Sequence, residues 1–167
     1  MLFILLLFSL LSCEAWELWA LGAAVLSHEL GHLAALRFWG KSPCRLHPGF
    51  DGAVIECSPF SSPQEEAVAA LSGSIAGLIW AFLLFHIPLP HASYAAEVSA
   101  VLSLFNLLPV PRLDGGRVFL ALGVSRTALR LCALLCLAPL LLICLSRKLW
   151  VSCATLLWLW ICTLRED

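Results

Sequence analysis

Two histidines and a glutamate near residue 30 have the types and the spacing of a catalytic metal site. The stretch His28-Glu29-Leu30-Gly31-His32 is an H-E-x-x-H motif. Residues four apart lie one above the other on an α-helix, so His28 and His32 would project from one face and share a metal ion. Glu29 would lie a step round the helix, where its carboxylate can hydrogen-bond a water on the metal rather than ligate it. The motif therefore predicts a hydrolase.

The setting of the motif strengthens this interpretation. The motif lies inside an uninterrupted apolar run, where an ionised residue costs at least about 2.5–3.5 kcal/mol. Glu29 between two histidines therefore indicates a functional site. The alternative is a structural cluster whose polar groups satisfy one another.

The composition predicts a polytopic membrane protein with a single domain, residues 1–167. The 167 residues are 61% hydrophobic and only 13% charged, against about 25% charged in an average soluble domain. A net charge of −1 and scattered Lys and Arg give no nucleic-acid footprint, so nucleic acid is excluded as a partner. The eight cysteines contain no C-x-x-C and are interpreted as small membrane-compatible side chains.

Six membrane spans are predicted, at about 1–13, 18–39, 67–88, 92–109 with a broken extension to 122, 128–146 and 149–164. Glu14 and Glu17 are interpreted as an acidic turn before the second span. The first run is too short for an upright span and is expected to tilt, and no Lys or Arg precedes it as in a signal peptide. Basic residues favour cytoplasmic N- and C-termini, since eight Lys and Arg would lie inside and only Arg147 and Lys148 outside.

The region 43–60 predicts a short β-hairpin at the membrane surface. Prolines and glycines exclude a helix there, while residues 53–57 have strand composition beside an Asp51-Gly52 turn signal. An opened substrate could pair with the edge of this hairpin by β-addition. The stretch 61–66, with Ser62, Pro63 and two glutamates, predicts the start of the next helix.

The stretch Asn106–Arg117 predicts a broken helix that carries an acid. Pro109 and Pro111 remove backbone donors, so the helix must break near Asn106. Non-helical backbone at membrane depth is tolerated only where it is buried in protein or lines a wet cavity. Catalytic zinc usually has three protein ligands, and Asp114 is the acid chosen as the third, because the others lie at loops or ends. The alternative for Asp114 is the N-cap of a helix at 115–122.

Other polar or small residues are assigned no chemistry. Gly73 and Gly77, four residues apart in the third span, are expected to let another helix approach closely. His86 and His91 bracket a turn at the interface and are given no role. Ser27 and Ser103, together with Asn106, are expected to admit water from the cytoplasmic half.

The H-E-x-x-H motif, paired with Asn106-Leu-Leu-Pro109-Val-Pro111-Arg-Leu-Asp114-Gly-Gly, resembles the site-2 protease family of intramembrane zinc metalloproteases. The small size, six spans and hairpin most resemble stage IV sporulation protein FB and its bacterial relatives. The resemblance implies a three-helix core around one Zn²⁺ per chain, held by His28, His32 and Asp114. It also implies Glu29 as the catalytic residue and Asn106 as a substrate contact.

The implied activity is hydrolysis of a peptide bond in or near a transmembrane segment of a membrane-anchored substrate. Candidate substrates are a sigma-factor precursor or an anti-sigma factor. The expected location is the bacterial cell membrane, and regulatory membrane proteins are candidate partners. The chain departs from the family by Gly73-Ser74 and Gly77, where many members carry Gly-Pro and then Asn, and no CBS or PDZ domain is expected.

The alternative function is a catalytically silent membrane metal-binding or transport protein. A transporter would need polar residues across both halves of the bilayer, whereas the outer half offers little beyond Glu97.

Overall fold

The computed structural model of the chain describes residues 14–41, 43–49, 52–57, 59–146 and 150–165. Within these ranges the chain forms six helices and two strands: α1 (Ala15–Phe38), β1 (Pro43–Gly49), β2 (Gly52–Cys57), α2 (Pro63–Phe85), α3 (Ala92–Asn106), α4 (Asp114–Ala121), α5 (Arg126–Ser146) and α6 (Trp150–Arg165). The mainly helical architecture predicted from the sequence is confirmed. The predicted first span, 1–13, lies outside the described residues.

Helix α1 begins earlier than the sequence predicted. Glu14 and Glu17 were interpreted as a turn before a span starting at residue 18, but the helix begins at Ala15. The Glu17 carboxylate accepts a hydrogen bond from the Glu14 backbone N–H at 3.1 Å. The first backbone N–H groups of a helix have no partners within the helix. Glu17, three residues after Glu14, therefore caps the start of α1 rather than forming a turn before it.

Helix α2 begins where its capping residues predicted. The Ser62 hydroxyl accepts a hydrogen bond from the Glu65 backbone N–H at 3.2 Å, and Pro63 is the first helical residue. Lys41, which follows α1, donates from Nζ to the Pro59 carbonyl at 2.6 Å. The end of α1 is thereby tied to the start of α2, on either side of the two strands.

The strands β1 and β2 form a two-stranded antiparallel sheet. Leu46 pairs with Ile55 and Gly49 with Gly52, and the register is irregular between Pro43 and Arg45. The predicted turn includes Asp51, which lies outside the described residues. Contact of this sheet with a membrane surface stays a prediction.

The helices pack in two groups. Helix α1 packs on α2 and α3, α2 also packs on α3 and α4, and α5 packs on α6 and contacts α4. The side chains that α2 buries are all small, whereas those it exposes include large apolar ones (buried Ala67, Ala69, Ala70, Gly73, Ser74, Gly77 and Ala81; exposed Val68, Ile75, Ile79, Phe82, Leu83 and Phe85). A soluble helix buries its large apolar residues, so this reversed pattern is typical of a helix that faces lipid.

Two helices, α2 and α5, are long and apolar enough to cross a membrane by length and composition. A hydrocarbon core of about 30 Å needs about 20 residues of helix, and these helices have 23 and 21. The count of six spans and the cytoplasmic position of both termini stay predictions.

Candidate metal centre

The structure brings His28, His32 and Asp114 together at the meeting of α1 and α4. His28 Nε2 lies 3.0 Å from Asp114 Oδ2, His32 Nε2 lies 3.3 Å from the same oxygen, and the two Nε2 atoms are 3.2 Å apart. His28 and Asp114 are buried and His32 is half-buried. Each residue therefore offers one ligand atom to a common point.

The spacing of these three atoms fits a zinc ion. Zinc bonds to nitrogen and oxygen of about 2.0–2.1 Å, set at tetrahedral angles, would place two ligand atoms about 3.3 Å apart. The observed edges of 3.0, 3.2 and 3.3 Å match that value. Although Oδ2 of Asp114 is this close to both rings, it is buried and accepts no hydrogen bond of good geometry from any described residue. A buried carboxylate oxygen without a donor is costly, and a cation at this point would satisfy it.

The orientation of the His32 ring also favours a metal. His32 Nδ1 lies 2.8 Å from the Ala69 carbonyl oxygen. Because a carbonyl can only accept, Nδ1 must carry the proton, and in the neutral ring the lone pair of Nε2 then points at His28 and Asp114. A backbone carbonyl on the second nitrogen of a metal-bound histidine is the usual way to fix its tautomer. His28 Nδ1 is buried and has no hydrogen-bond partner within the part of the chain that the structure describes.

Asp114 is held by the break between α3 and α4. Helix α3 ends at Asn106, where the two prolines predict a break, and Asp114 is the first residue of α4. Two turns follow one another in the connection, where Val110 N–H donates to Leu108 O at 2.7 Å and Leu113 N–H donates to Val110 O at 2.9 Å. The N-cap is Leu113, so the alternative of Asp114 as a capping residue is wrong. Its carboxylate is aimed at the histidines instead.

The two glycines after Asp114 let α4 lie against this connection. A Cβ on Gly115 would overlap the Leu107 carbonyl oxygen and lie 2.6 Å from that of Leu108. A Cβ on Gly116 would overlap the Val110 carbonyl. All of these obstacles are backbone atoms, which cannot rotate away. The Gly-Gly pair is therefore a steric condition for the position of Asp114.

The other predicted site residues lie near this centre or apart from it. Glu29 is half-buried beside His28 and is close enough to act electrostatically on the His32 ring. Asn106 is half-buried at the last position of α3, and its contact with a substrate stays a prediction. Glu97, which the sequence predicted to lie in the outer half, is exposed. Among the described residues, none of these three belongs to the group that could hold a metal.

Two serines that were expected near water, and two histidines that were given no role, make hydrogen bonds or ring contacts in the structure. The Ser103 hydroxyl, expected to admit water, is fully buried and donates to the Ser99 carbonyl at 2.8 Å. Ser27 donates to the Ala24 carbonyl on its own helix at 2.8 Å. His91 stacks on Trp16 with ring centroids 4.0 Å apart, and His86 Nδ1 contacts the Phe82 carbonyl. A buried hydroxyl prefers a nearby helical carbonyl, which the sequence alone does not distinguish from a wet path.

The fold that carries this centre is similar to that of a protein of known structure. The chain is similar in structure to the Site-2 Protease from Methanocaldococcus jannaschii, with a TM-score of 0.71 over 99% of this chain and 87% of that chain. The sequence identity is 19%, so the similarity shows the fold. No family model and no curated protein sequence matches the chain.

Proposed function

We propose that this protein is an intramembrane zinc metalloprotease that hydrolyses a peptide bond in or near a transmembrane segment of a membrane-anchored protein. The observation that carries the proposal is the triangle of His28, His32 and Asp114, in a chain with the fold of a site-2 protease. A zinc ion held there would supply Lewis acidity, activating a water molecule and polarising the scissile carbonyl.

The residues of the chain have distinct parts in that reaction. His28, His32 and Asp114 would hold the ion and leave its fourth position open. Glu29 would take the proton of the attacking water as the C–O bond forms, and then pass it to the nitrogen as the C–N bond breaks. Asn106, at the end of α3, would contact the substrate. A substrate helix must unwind locally before its peptide bond is accessible, so helix-breaking residues near the cut should favour cleavage.

The finer assignment rests on the sequence motifs. Membership of the group around stage IV sporulation protein FB, a role in sporulation, and a sigma-factor precursor or anti-sigma factor as substrate are predictions from that resemblance. So are the bacterial cell membrane as location and an edge of the β1–β2 sheet as the place where an unwound substrate pairs.

The test is the substitution Glu29→Gln, which keeps the size of the side chain and removes its basicity. The probe is a tagged single-span membrane protein with Gly and Pro in its transmembrane segment, co-expressed with the protease, and bound zinc is measured in the purified chain. We expect Glu29→Gln to retain zinc and to lose about 100- to 10,000-fold in cleavage rate, the usual contribution of a general base.

The matched control is Glu97→Gln, which makes the same change at an exposed position outside the metal-holding group. We expect this variant to cleave like the unaltered chain. Unchanged cleavage by Glu29→Gln would refute the proposal. Zinc binding by the unaltered chain without cleavage of any such reporter would instead favour the metal-binding alternative.

A further inference from the structure

Helix α2 contacts the His32 ring at two points that are four residues apart. At one point the Ala69 carbonyl accepts a hydrogen bond from His32 Nδ1 at 2.8 Å. At the other, a Cβ added to Gly73 would overlap His32 Nε2 and lie 2.6 Å from Cε1 and 2.7 Å from Cδ2 of the same ring. Residues 69 and 73 lie one above the other on a helix. One face of α2 therefore contacts the His32 ring at both of its nitrogens.

The approach of the two helices at this level is unusually close. A Cβ on Gly31, the residue before His32, would overlap the Ser72 carbonyl oxygen and lie 2.9 Å from the Cα of Gly73. Glycine therefore lies on both sides of the contact between α1 and α2. The absence of a side chain at Gly73 provides the space that the His32 ring occupies.

Gly77, one turn further along α2, provides a contrast within the same helix. A Cβ there would meet the Ser103 hydroxyl, and its next neighbours would be Ser103 Cβ at 3.5 Å and Ser99 Oγ at 3.8 Å. The Ser103 hydroxyl can change rotamer at the cost of its hydrogen bond to the Ser99 carbonyl, and that change displaces no candidate metal ligand. A Cβ at Gly73 would instead displace the His32 ring itself. The two glycines look alike in sequence, but only Gly73 contacts a metal ligand.

We propose that Gly73 and the Ala69 carbonyl form a clamp that sets the orientation of His32, which makes Gly73 a positioning residue of the metal centre and not only a helix-packing residue. The inference rests on the proposed zinc site. A methyl group at position 73 would force the ring to swing away, and the ring could then not keep both the Ala69 hydrogen bond and the position of Nε2 beside Asp114. Loss of partners that orient a ligand typically weakens metal binding about 10- to 100-fold.

The test compares Gly73→Ala with Gly77→Ala in the purified full chain in detergent. Zinc affinity is measured by competition with a chelator, and the visible spectrum of the Co²⁺-substituted chain reports ligand geometry. We expect Gly73→Ala to bind zinc about 10- to 100-fold more weakly and to show an altered Co²⁺ spectrum, with helix content unchanged by circular dichroism. Gly77→Ala should match the unaltered chain in all three. Unaltered zinc affinity and Co²⁺ spectrum in Gly73→Ala would overturn the inference.

A second measurement is independent of whether Gly73→Ala folds. In the unaltered chain labelled with ¹⁵N-histidine and loaded with zinc, NMR should show a protonated Nδ1 and a metal-bound Nε2 for His32. A deprotonated Nδ1 would overturn the clamp. Failure of the unaltered chain to bind zinc would refute the proposed function itself, whereas zinc binding that is indifferent to Gly73→Ala would refute only this inference.

Discussion

The two groups of helices are built from different side chains. Helices α1 to α3, which we call the small-residue bundle, bury mainly alanine, glycine and serine, with Leu36 as the large apolar exception. The pair α5 and α6, which we call the leucine pair, buries large aliphatic residues together with the connection before α4 (Val110, Leu113, Ala133, Leu137, Leu156 and Leu159). The metal centre lies where α4 meets the first group.

This difference indicates where in the molecule a small change in packing would move the proposed metal ligands. Within a bilayer, lipid offers no hydrophobic drive for helix association, so small residues associate through close backbone approach and hydrogen bonds. Backbone atoms in contact cannot adjust to an added methyl group. Close backbone contacts between helices therefore fix the positions of the proposed metal ligands on those helices. Leucine side chains can change rotamer around a substitution. The small-residue bundle should therefore couple packing to metal binding, and the leucine pair should contribute stability alone.

The largest effect is expected from Gly115→Ala, next to the proposed metal ligand Asp114 in α4, the helix that packs on α2 of the small-residue bundle. The added Cβ would overlap backbone carbonyls before α4. We expect a loss of about 1–3 kcal/mol in the free energy of unfolding, which is typical of overpacking, together with weaker zinc binding because Asp114 moves. Zinc affinity and thermal unfolding in detergent measure the two effects.

The control for Gly115→Ala is Gly22→Ala on α1, where a Cβ would meet no atom of the described residues within 4 Å. An alanine in a helix is favoured over glycine by about 1 kcal/mol, so this variant should be neutral or slightly more stable. If Gly115→Ala lowered stability and left zinc affinity unchanged, packing and metal binding would not be coupled as we infer.

A smaller effect, on stability alone, is expected from Leu137→Ala in the leucine pair. Leu137 is fully buried in the cluster. The loss should be about 2 kcal/mol, near the low end for such truncations, because lipid removes the water-transfer part of the cost. Zinc affinity should not change. Leu135→Ala, on the same helix but 74% exposed, is the control and should alter neither the stability nor the zinc affinity. Weaker zinc binding by Leu137→Ala would contradict the separation of the two regions.

The sequence predicted those parts of the site that depend on local spacing. His28 and His32 follow from the period of one helix, the start of α2 from its capping residues, and the end of α3 at Asn106 from two prolines. Asp114 was reached by elimination among the acids. The first three are properties of short segments and the last is a comparison of acids along the chain, so no knowledge of the packing between segments was needed.

The parts that the sequence could not show depend on which faces of the helices meet. Gly73 and Gly77 form one small-residue pattern, and only the crossing of α1 and α2 reveals that the first contacts His32. The Ala69 carbonyl is a backbone atom, so no residue type marks it as the partner of His32. Ser103 was expected near water, yet it lies fully buried, because its exposure depends on how α3 packs.

The smallest effect is expected from Ser99→Ala, which removes one hydrogen bond between helices of the small-residue bundle. Ser99 Oγ donates to the Gly77 carbonyl at 2.9 Å, and both residues are buried. Such bonds contribute about 0.6 kcal/mol on average in membrane proteins, so thermal unfolding should shift only slightly. Ser74→Ala is the matched control, since the buried Ser74 hydroxyl has no hydrogen-bond partner among the described residues and its removal should cost nothing. A loss several times larger for Ser99→Ala would mean that hydrogen bonds, rather than close backbone approach, hold the small-residue bundle together.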